Sequence, residues 1–464
     1  MAAILPLVLG RAARTRAAQD KPLMLHRKRN KELGLAELVA IALGGMVGGG
    51  IFTVLGISVS MIGHLTPAAI ILGGITAGLA AYSYIKLGVY YQDEGATYSF
   101  FKRTYVDSHF AAAAIGWFVL FGYISTLALY AYTFSSYAIS SSSFASDEWV
   151  RKGVALGILA LFTLINVWSV NGMGKLEDLM VYTKLVLLTI ISFILMRHGT
   201  TGFGPFIESM AADARHSSVL NILIVSSITF VAYEGFQLVI NAVGEMANPE
   251  RSIPRAIYAA ISLAILIYVV ISLGALFAIP VENIIQNREF ALAAGAGDIL
   301  GKMGSTLVIL GAILATSSAI SGTLFGSSRQ MAVVASDGYL PQFLSRRKGN
   351  IPINAILSMS TMASVLILVG GLELILEFGS ITFLMVSLLM AIANHKIRTQ
   401  TNSSGIATRI AIAALSLGGA LILYYELRNN SGQLFAIVFL YVVLAGGAYL
   451  AARNRERSKE PSEL

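Results

Sequence analysis

The chain has 464 residues, 56% of them hydrophobic and only 12% charged, against about 25% charged in soluble domains, so its composition is that of an integral membrane protein with no soluble domain. Its formal net charge is +8, but the basic residues gather in loops between apolar runs, the pattern of membrane orientation and not of a nucleic-acid interface. No cysteine is present, which excludes disulfides, thiolate metal sites and cysteine nucleophiles.

Residues 1–34 open with a short apolar piece, Ala2 to Leu9, followed by Arg11, Arg14, Arg16, Lys21, Arg27, Lys28, Arg29 and Lys31. A signal peptide carries its charges before its apolar core, so this reversed order predicts an uncleaved cytoplasmic tail. The first long apolar run extends from Leu35 to about Ile62 and contains Gly44, Gly45, Gly48, Gly49 and Gly50. Together these glycines cost a helix roughly 4–5 kcal/mol relative to alanine, which predicts a transmembrane helix broken in its middle. Backbone groups freed at mid-bilayer are tolerated where they line a polar cavity or a ligand. The N–H groups opening the second half-helix, near Gly49, Gly50 and Ile51, suit a carboxylate, and the C=O groups closing the first half suit a cation. An amino acid carries both charges. The competing reading of the glycines is close helix packing through small residues.

Further apolar runs follow at about 67–91, 111–138, 153–170, 176–196, 218–243, 256–279, 304–334, 353–370, 373–393, 406–425 and 432–452, each near the ~20 residues a bilayer requires. They predict an all-α integral membrane protein of about twelve transmembrane helices. With the N-terminus inside, the loops holding Lys102/Arg103, Lys175, Arg251/Arg255, Arg346–Lys348 and Lys396/Arg398/Arg409 are cytoplasmic. Roughly 23 Lys/Arg then lie inside against roughly 7 outside, which predicts that both termini are cytoplasmic, in a protein expected in the plasma membrane. The sixth run has its own irregularity, Phe230-Val231-Ala232-Tyr233-Glu234-Gly235-Phe236-Gln237. Two interrupted segments five spans apart predict a 5+5 inverted repeat with broken helices 1 and 6 and the binding site where the breaks meet. The halves are about 35–197 and 218–395 within a core of 35–400, and 401–453 forms helices 11 and 12 outside the repeat. Residues 454–464 form a second cytoplasmic tail.

Four motifs then stand in order: Gly48-Gly49-Gly50-Ile51-Phe52; Glu94-Gly95-Ala96-Thr97-Tyr98; Asn248-Pro249-Glu250-Arg251-Ser252-Ile253-Pro254-Arg255-Ala256-Ile257; and Ser317-Ser318 with Gly326-Ser327-Ser328-Arg329 and Ser336-Asp337-Gly338-Tyr339-Leu340-Pro341. In these the chain, from about residue 34 to 400, resembles the amino acid–polyamine–organocation permeases, built on the leucine-transporter fold. The resemblance implies that a substrate carboxylate meets the N–H groups at Gly49 and Gly50, and that its ammonium meets carbonyls near Met46, Val231 and Glu234. Gly49 stands where the family carries serine or alanine, so a hydroxyl contact to the carboxylate is missing.

Glu234 is ionisable in otherwise apolar sequence and is expected to face the bundle interior, either as a partner for a substrate cation or proton or as a neutral, hydrogen-bonded acid. Gln237 lies about 4.5 Å further along the axis on nearly the same face. Some antiporters of the family carry glutamate at this position, so the amide argues against an arginine- or polyamine-type exchanger. Lys184 lies nine residues past Lys175, roughly 13 Å up the fifth span; a side chain snorkelling toward Asp178 is the alternative. In proton-coupled members of the family a lysine of the fifth span supplies an ammonium where sodium-coupled relatives of the fold hold a cation, and Lys184 matches it. Its expected partners are the carbonyl of Gly44 or Gly45 and the hydroxyl of Ser317 or Ser318. Tyr123, Tyr130 and Tyr233 are candidate aromatic gates. Glu94, Arg103, Glu245, Arg251, Arg255, Arg329 and Asp337 read as structural pairs and caps, and Lys86 as a snorkelling side chain.

No G-x-x-x-x-G-K-[ST] loop, H-E-x-x-H or G-x-S-x-G elbow is present, so the expectation is no enzyme, no cofactor and no metal. The resemblance implies a secondary active transporter, with an amino acid and protons as partners in the lipid bilayer. An exchanger and a transporter-like sensor remain the alternatives; the oligomeric state is not indicated.

Overall fold

The computed structural model describes residues 33–168, 173–199, 202–349 and 351–457. Most of the two expected tails, residues 1–32 and 458–464, lies outside the described residues. Among the described residues the regular structure is helical, with a single isolated bridge between Lys348 and Ile351.

The first apolar run is two helices, α1 (Leu35–Met46) and α2 (Gly49–Ile62). A 3-10 turn, Gly63–Leu65, leads into α3 (Thr66–Tyr91), where Pro67 occupies a first-turn position that needs no N–H donor. There follow α4 (Ala96–Thr104), α5 (His109–Ile139), α6 (Glu148–Trp168), α7 (Met173–Arg197) and α8 (Phe203–His216). The sixth run is α9 (Val219–Ile228), a 3-10 segment Thr229–Tyr233 and a single turn α10 (Leu238–Asn241). The rest is α11 (Pro249–Ala278), α12 (Val281–Gln286), α13 (Ala291–Ser336), α14 (Ile353–Val369), α15 (Leu372–Lys396), α16 (Gly405–Asn429) and α17 (Ser431–Arg457). Ser108, Ser218, Asn248 and Ser404 accept from the first turns of α5, α9, α11 and α16, which ends each chain entry with a satisfied donor. Within α13, Gly301 leaves helical geometry at φ 64° and divides the helix.

Among the described residues ten helical stretches are long and apolar enough to cross a membrane, the first running from Gly49 to Tyr91 through the 3-10 turn. Leu35–Met46 and Ile353–Val369 are apolar but shorter. The expected runs therefore reappear with shifted ends; the fourth begins at Glu148 rather than 153. Three short helices, α4, α8 and α12, stand between runs where the hydropathy pattern gives no element.

Helix α5 is the hub, packing against α6, α13, α15 and α17. Its small and hydroxylated residues allow this: Gly122 faces Phe383 closely enough that a Cβ would sit 3.0 Å from the ring, and Thr126, Thr133 and Ser136 return their hydroxyls to carbonyls four residues back. Ser125 fixes α15 beside it by donating to the Ile375 carbonyl at 2.7 Å, and Ser380 of α15 ties α9 by donating to the Ile228 carbonyl at 2.7 Å. A buried hydroxyl bonded to a carbonyl contributes about 1 kcal/mol net and costs more if left unpaired.

One end of the bundle is tied by Arg103–Asp93 at 2.5 Å, Lys102–Asp337 at 2.6 Å and Tyr98–Asp337 at 2.6 Å. Burial, together with the Asp337 carboxylate, raises the Tyr98 phenol above its ordinary range. At this end Lys86 donates to the Asn402 carbonyl at 2.7 Å. Arg329, expected in an ion pair or cap, bonds the Phe325 carbonyl at 2.8 Å and lies over the Phe325 ring. Another group of contacts holds Arg151–Glu289 at 2.7 Å, Arg288–Glu373 at 2.5 Å and His64–Asp213 at 2.9 Å, the last tying α8 to the turn between α2 and α3.

Candidate functional site

The two helix breaks meet, backbone against backbone. At the first, Val47 and Gly48 leave helical geometry and the Gly48 N–H turns back to the Met46 carbonyl at 2.9 Å. At the second, Glu234 is extended and Gly235 has φ 126°. A Cβ on Gly235 would lie 2.6 Å from the Gly45 carbonyl carbon and 2.7 Å from the Met46 nitrogen. A side chain cannot fit there, and the positive φ is itself glycine's province. The contact recurs one turn along, where a Cβ on Gly50 would lie 2.9 Å from the Cα of Ala232. Close packing and helix breaking, read from the sequence as alternatives, operate here together.

Helix α2 begins at Gly49 with no side-chain cap, and Gly49, Gly50 and Ile51 are buried. The first N–H groups of a helix have no intrahelical partner, so a buried, positively polarised end stands at the junction of the breaks. The opposite polarity is supplied by carbonyls. Tyr268 of α11 places its hydroxyl 2.7 Å from the Met46 carbonyl and 2.9 Å from the Ala232 carbonyl. One phenol has one proton, so it donates to one of these two acceptors at a time. Tyr130 donates to the Gly45 carbonyl at 3.2 Å.

The carboxylate of the second break is held locally. Gln237 donates from Nε2 to Glu234 Oε1 in a short contact and to the Tyr123 hydroxyl at 3.3 Å, while its Oε1 accepts from the Gly235 N–H at 3.1 Å. Gln237 therefore pins the irregular backbone as well as the acid. A small cavity of about 20 Å³ adjoins this network, lined by Gly45, Tyr123, Tyr130, Glu234, Asn241 and Thr323 among others. It extends along α13 toward Gln330, the end that Lys102 and Tyr98 tie.

Lys184 is fully buried. From α7 its ammonium donates to the Gly44 carbonyl of α1 at 2.8 Å and to the Ser318 hydroxyl of α13 at 3.2 Å. Of the alternatives read from the sequence, these contacts fall on Gly44 and Ser318; the Gly45 carbonyl receives Tyr130, and Ser317 is buried beside Ser318. The side chains of Lys175 and Asp178 lie outside the described residues.

The structure thus brings Met46, Gly48, Gly49, Gly50, Ile51, Val231, Glu234 and Gln237 to one junction, with Lys184, Gly44 and Ser318 a turn away. Tyr233 departs from the expectation of a gate: its hydroxyl bonds the Ile70 carbonyl of α3 at 2.7 Å, and its ring packs on Tyr268. Tyr268 itself is absent from the sequence reading, because a tyrosine inside an apolar run carries no local signal that separates it from packing.

The amino acid permease family model matches residues 33–449. The inner membrane transport protein YbaT of Escherichia coli is 31% identical over 382 residues, covering 81% of this chain and 86% of its own. An uncharacterized protein of Methanocaldococcus jannaschii is 27% identical over 89% of this chain and 94% of its own. An uncharacterized transporter of Mycobacterium tuberculosis is 25% identical over 93% of this chain and 94% of its own.

Proposed function

We propose, from the premise that the chain belongs to the amino acid permease family, that this multi-pass membrane transporter carries amino acids through the junction of its two helix breaks and couples their movement to protons. The observation that carries the reading is the uncapped, buried start of α2, with Gly50 against Ala232 of the second break and the Met46 and Ala232 carbonyls gathered at the Tyr268 hydroxyl. A substrate carboxylate takes the N–H groups of Gly49, Gly50 and Ile51, and the ammonium takes carbonyls of Met46 and of the segment around Val231 and Ala232. Gly48 and Gln237 keep the two breaks open, and Glu234 faces the substrate side chain from the cavity wall.

Counting α1 with α2, and α9 with α10, as broken spans gives about twelve in all, with five-span halves at 35–197 and 218–395 and α16 and α17 outside them. This is the arrangement in which inverted repeats place a substrate between paired breaks. Lys/Arg asymmetry puts both termini in the cytoplasm, so the cavity leading toward Gln330 opens inward. The name of the Escherichia coli relative supports an inner, plasma-membrane location.

For coupling, Lys184 supplies an ammonium between α1, α7 and α13, where loss of a proton would remove one of the charges holding the state together. A bound Na⁺ beside it is opposed by about 4 kcal/mol at 4 Å even at an effective dielectric of 20. The test is competition of unlabelled amino acids against a labelled one in proteoliposomes, with and without an imposed pH gradient. Accumulation driven by protons and indifferent to sodium is expected; uptake that requires a sodium gradient overturns the coupling. Absence of counterflow for every amino acid overturns transport in favour of a sensor.

A further inference from the structure

Away from the junction of the breaks, two acidic side chains meet between α15 and α16. Glu377 and Glu426 are 5% and 1% exposed on two closely packed helices, and their carboxyl groups lie beside each other. Two buried carboxylates side by side cannot both stay ionised without a balancing cation, so the pair holds a proton. No ion pair to either acid occurs among the described residues. Glu373, one turn earlier on α15, takes the nearest base, Arg288, at 2.5 Å; Glu289 is paired with Arg151. The remaining groups around the pair are the Tyr425 phenol on α16 and, from α17, the Gln433 amide, which donates to Glu377 Oε2 at 2.5 Å. Among the described residues Glu426 Oε2 is buried without a hydrogen-bond partner, and the two acids have no balancing cation.

We propose that Glu377 and Glu426 form a proton-binding site at the contact of α15 with α16, separate from Lys184 and loaded through the cavity that Gln433 lines. That cavity is about 240 Å³ and is walled by Gln433, Glu373, Arg288, Glu289, Glu148 and Tyr132. Gln433 touches both it and Glu377, which gives water a route to the shared proton. With the proton in place the pair clamps α15 to α16. On its transfer to water or hydroxide, two like charges face each other in a poorly solvated contact and drive the helices apart. The clamp bears on the helix breaks because Ser380, one turn after Glu377, holds the Ile228 carbonyl where α9 gives way to the 3-10 segment. The site stands whether or not the transport reading does.

The test uses purified full-length protein and infrared difference spectra between about pH 6 and about pH 9, with a melting curve at each pH. Glu377→Gln, Glu426→Gln, the double variant and Glu234→Gln are compared with wild type, the last because Glu234 is another buried acid. The carbonyl stretch of a protonated carboxyl is expected to fade with rising pH in wild type and in Glu234→Gln, and to be weakened in the double variant. Folded protein holds a proton that the unfolded chain has released, so raising the pH favours unfolding. Wild type should lose stability against the double variant by up to about tenfold in the folding equilibrium per pH unit. A double variant that retains the full stretch, or a stretch that disappears in Glu234→Gln alone, overturns the proposal. If the double variant does not fold, either single variant with an unchanged stretch and an unchanged pH slope does the same.

Discussion

Lys184 is the residue whose removal separates structure from coupling most cleanly. Lys184→Ala leaves the carbonyl of Gly44 and the hydroxyl of Ser318 without this donor, and is expected to retain substrate binding in part while uptake no longer responds to an imposed pH gradient. Proteoliposome uptake with labelled substrate measures it; accumulation by the variant with only protons available would contradict the assignment. Tyr268→Phe is the complementary test. It removes the one hydroxyl shared by the Met46 and Ala232 carbonyls, leaving Met46 only the Gly48 N–H, and the loss of a buried hydrogen bond costs about 0.5–1.5 kcal/mol. The variant should melt measurably lower, and saturating substrate should restore more of the loss than in wild type, because an ammonium brings donors to the same two oxygens. The lysine was legible in the sequence because a charge stands out in an apolar run. The tyrosine was not, since its role depends on which carbonyls the fold delivers to it.

At the scale of elements, the breaks were legible through glycine and through Glu234 and Gln237, whose types contradict a plain membrane helix. What hydropathy could not give was their mutual approach. Gly235 shows the difference: its φ of 126° and the 2.6 Å gap to the Gly45 carbonyl carbon leave no room for a methyl group. Gly235→Ala should therefore destabilise by well over the ~1 kcal/mol typical of point mutations. Gly419→Ala, in α16 with open space around its Cβ position, should be neutral or gain up to about 1 kcal/mol from helix propensity. Thermal melts of the two variants, side by side, check the pair; equal effects would mean that the breaks do not touch. Gly50→Val, by the same geometry, pushes on Ala232 as well as on any ligand, so loss of transport in it reports the shape of the break before it reports the carboxylate. The short helices α4, α8 and α12 were illegible for a different reason, because they lie between spans and are held by tertiary pairs such as His64–Asp213.

For the whole molecule, the run-by-run pattern gave the all-helical membrane class, but it set α16 and α17 apart as additions. The packing joins them to the core. A Cβ on Gly447 of α17 would lie 2.5 Å from the Trp117 ring of α5, and the Tyr441 hydroxyl bonds Thr382 of α15 at 2.7 Å. A chain stopped before α17 would uncover those surfaces and is expected to aggregate or be degraded on expression; a monodisperse, substrate-binding truncation in size-exclusion chromatography would show the core to be independent. The side chain bridging α1, α7 and α13 is likewise part of the whole, since it is covalently held there. Being tethered, the Lys184 nitrogen has an effective concentration at Gly44 and Ser318 set by the length of its own side chain and not by the medium. The contact thus draws on no sodium from outside: exchanging sodium chloride for choline chloride at equal ionic strength should leave the melting temperature where it was.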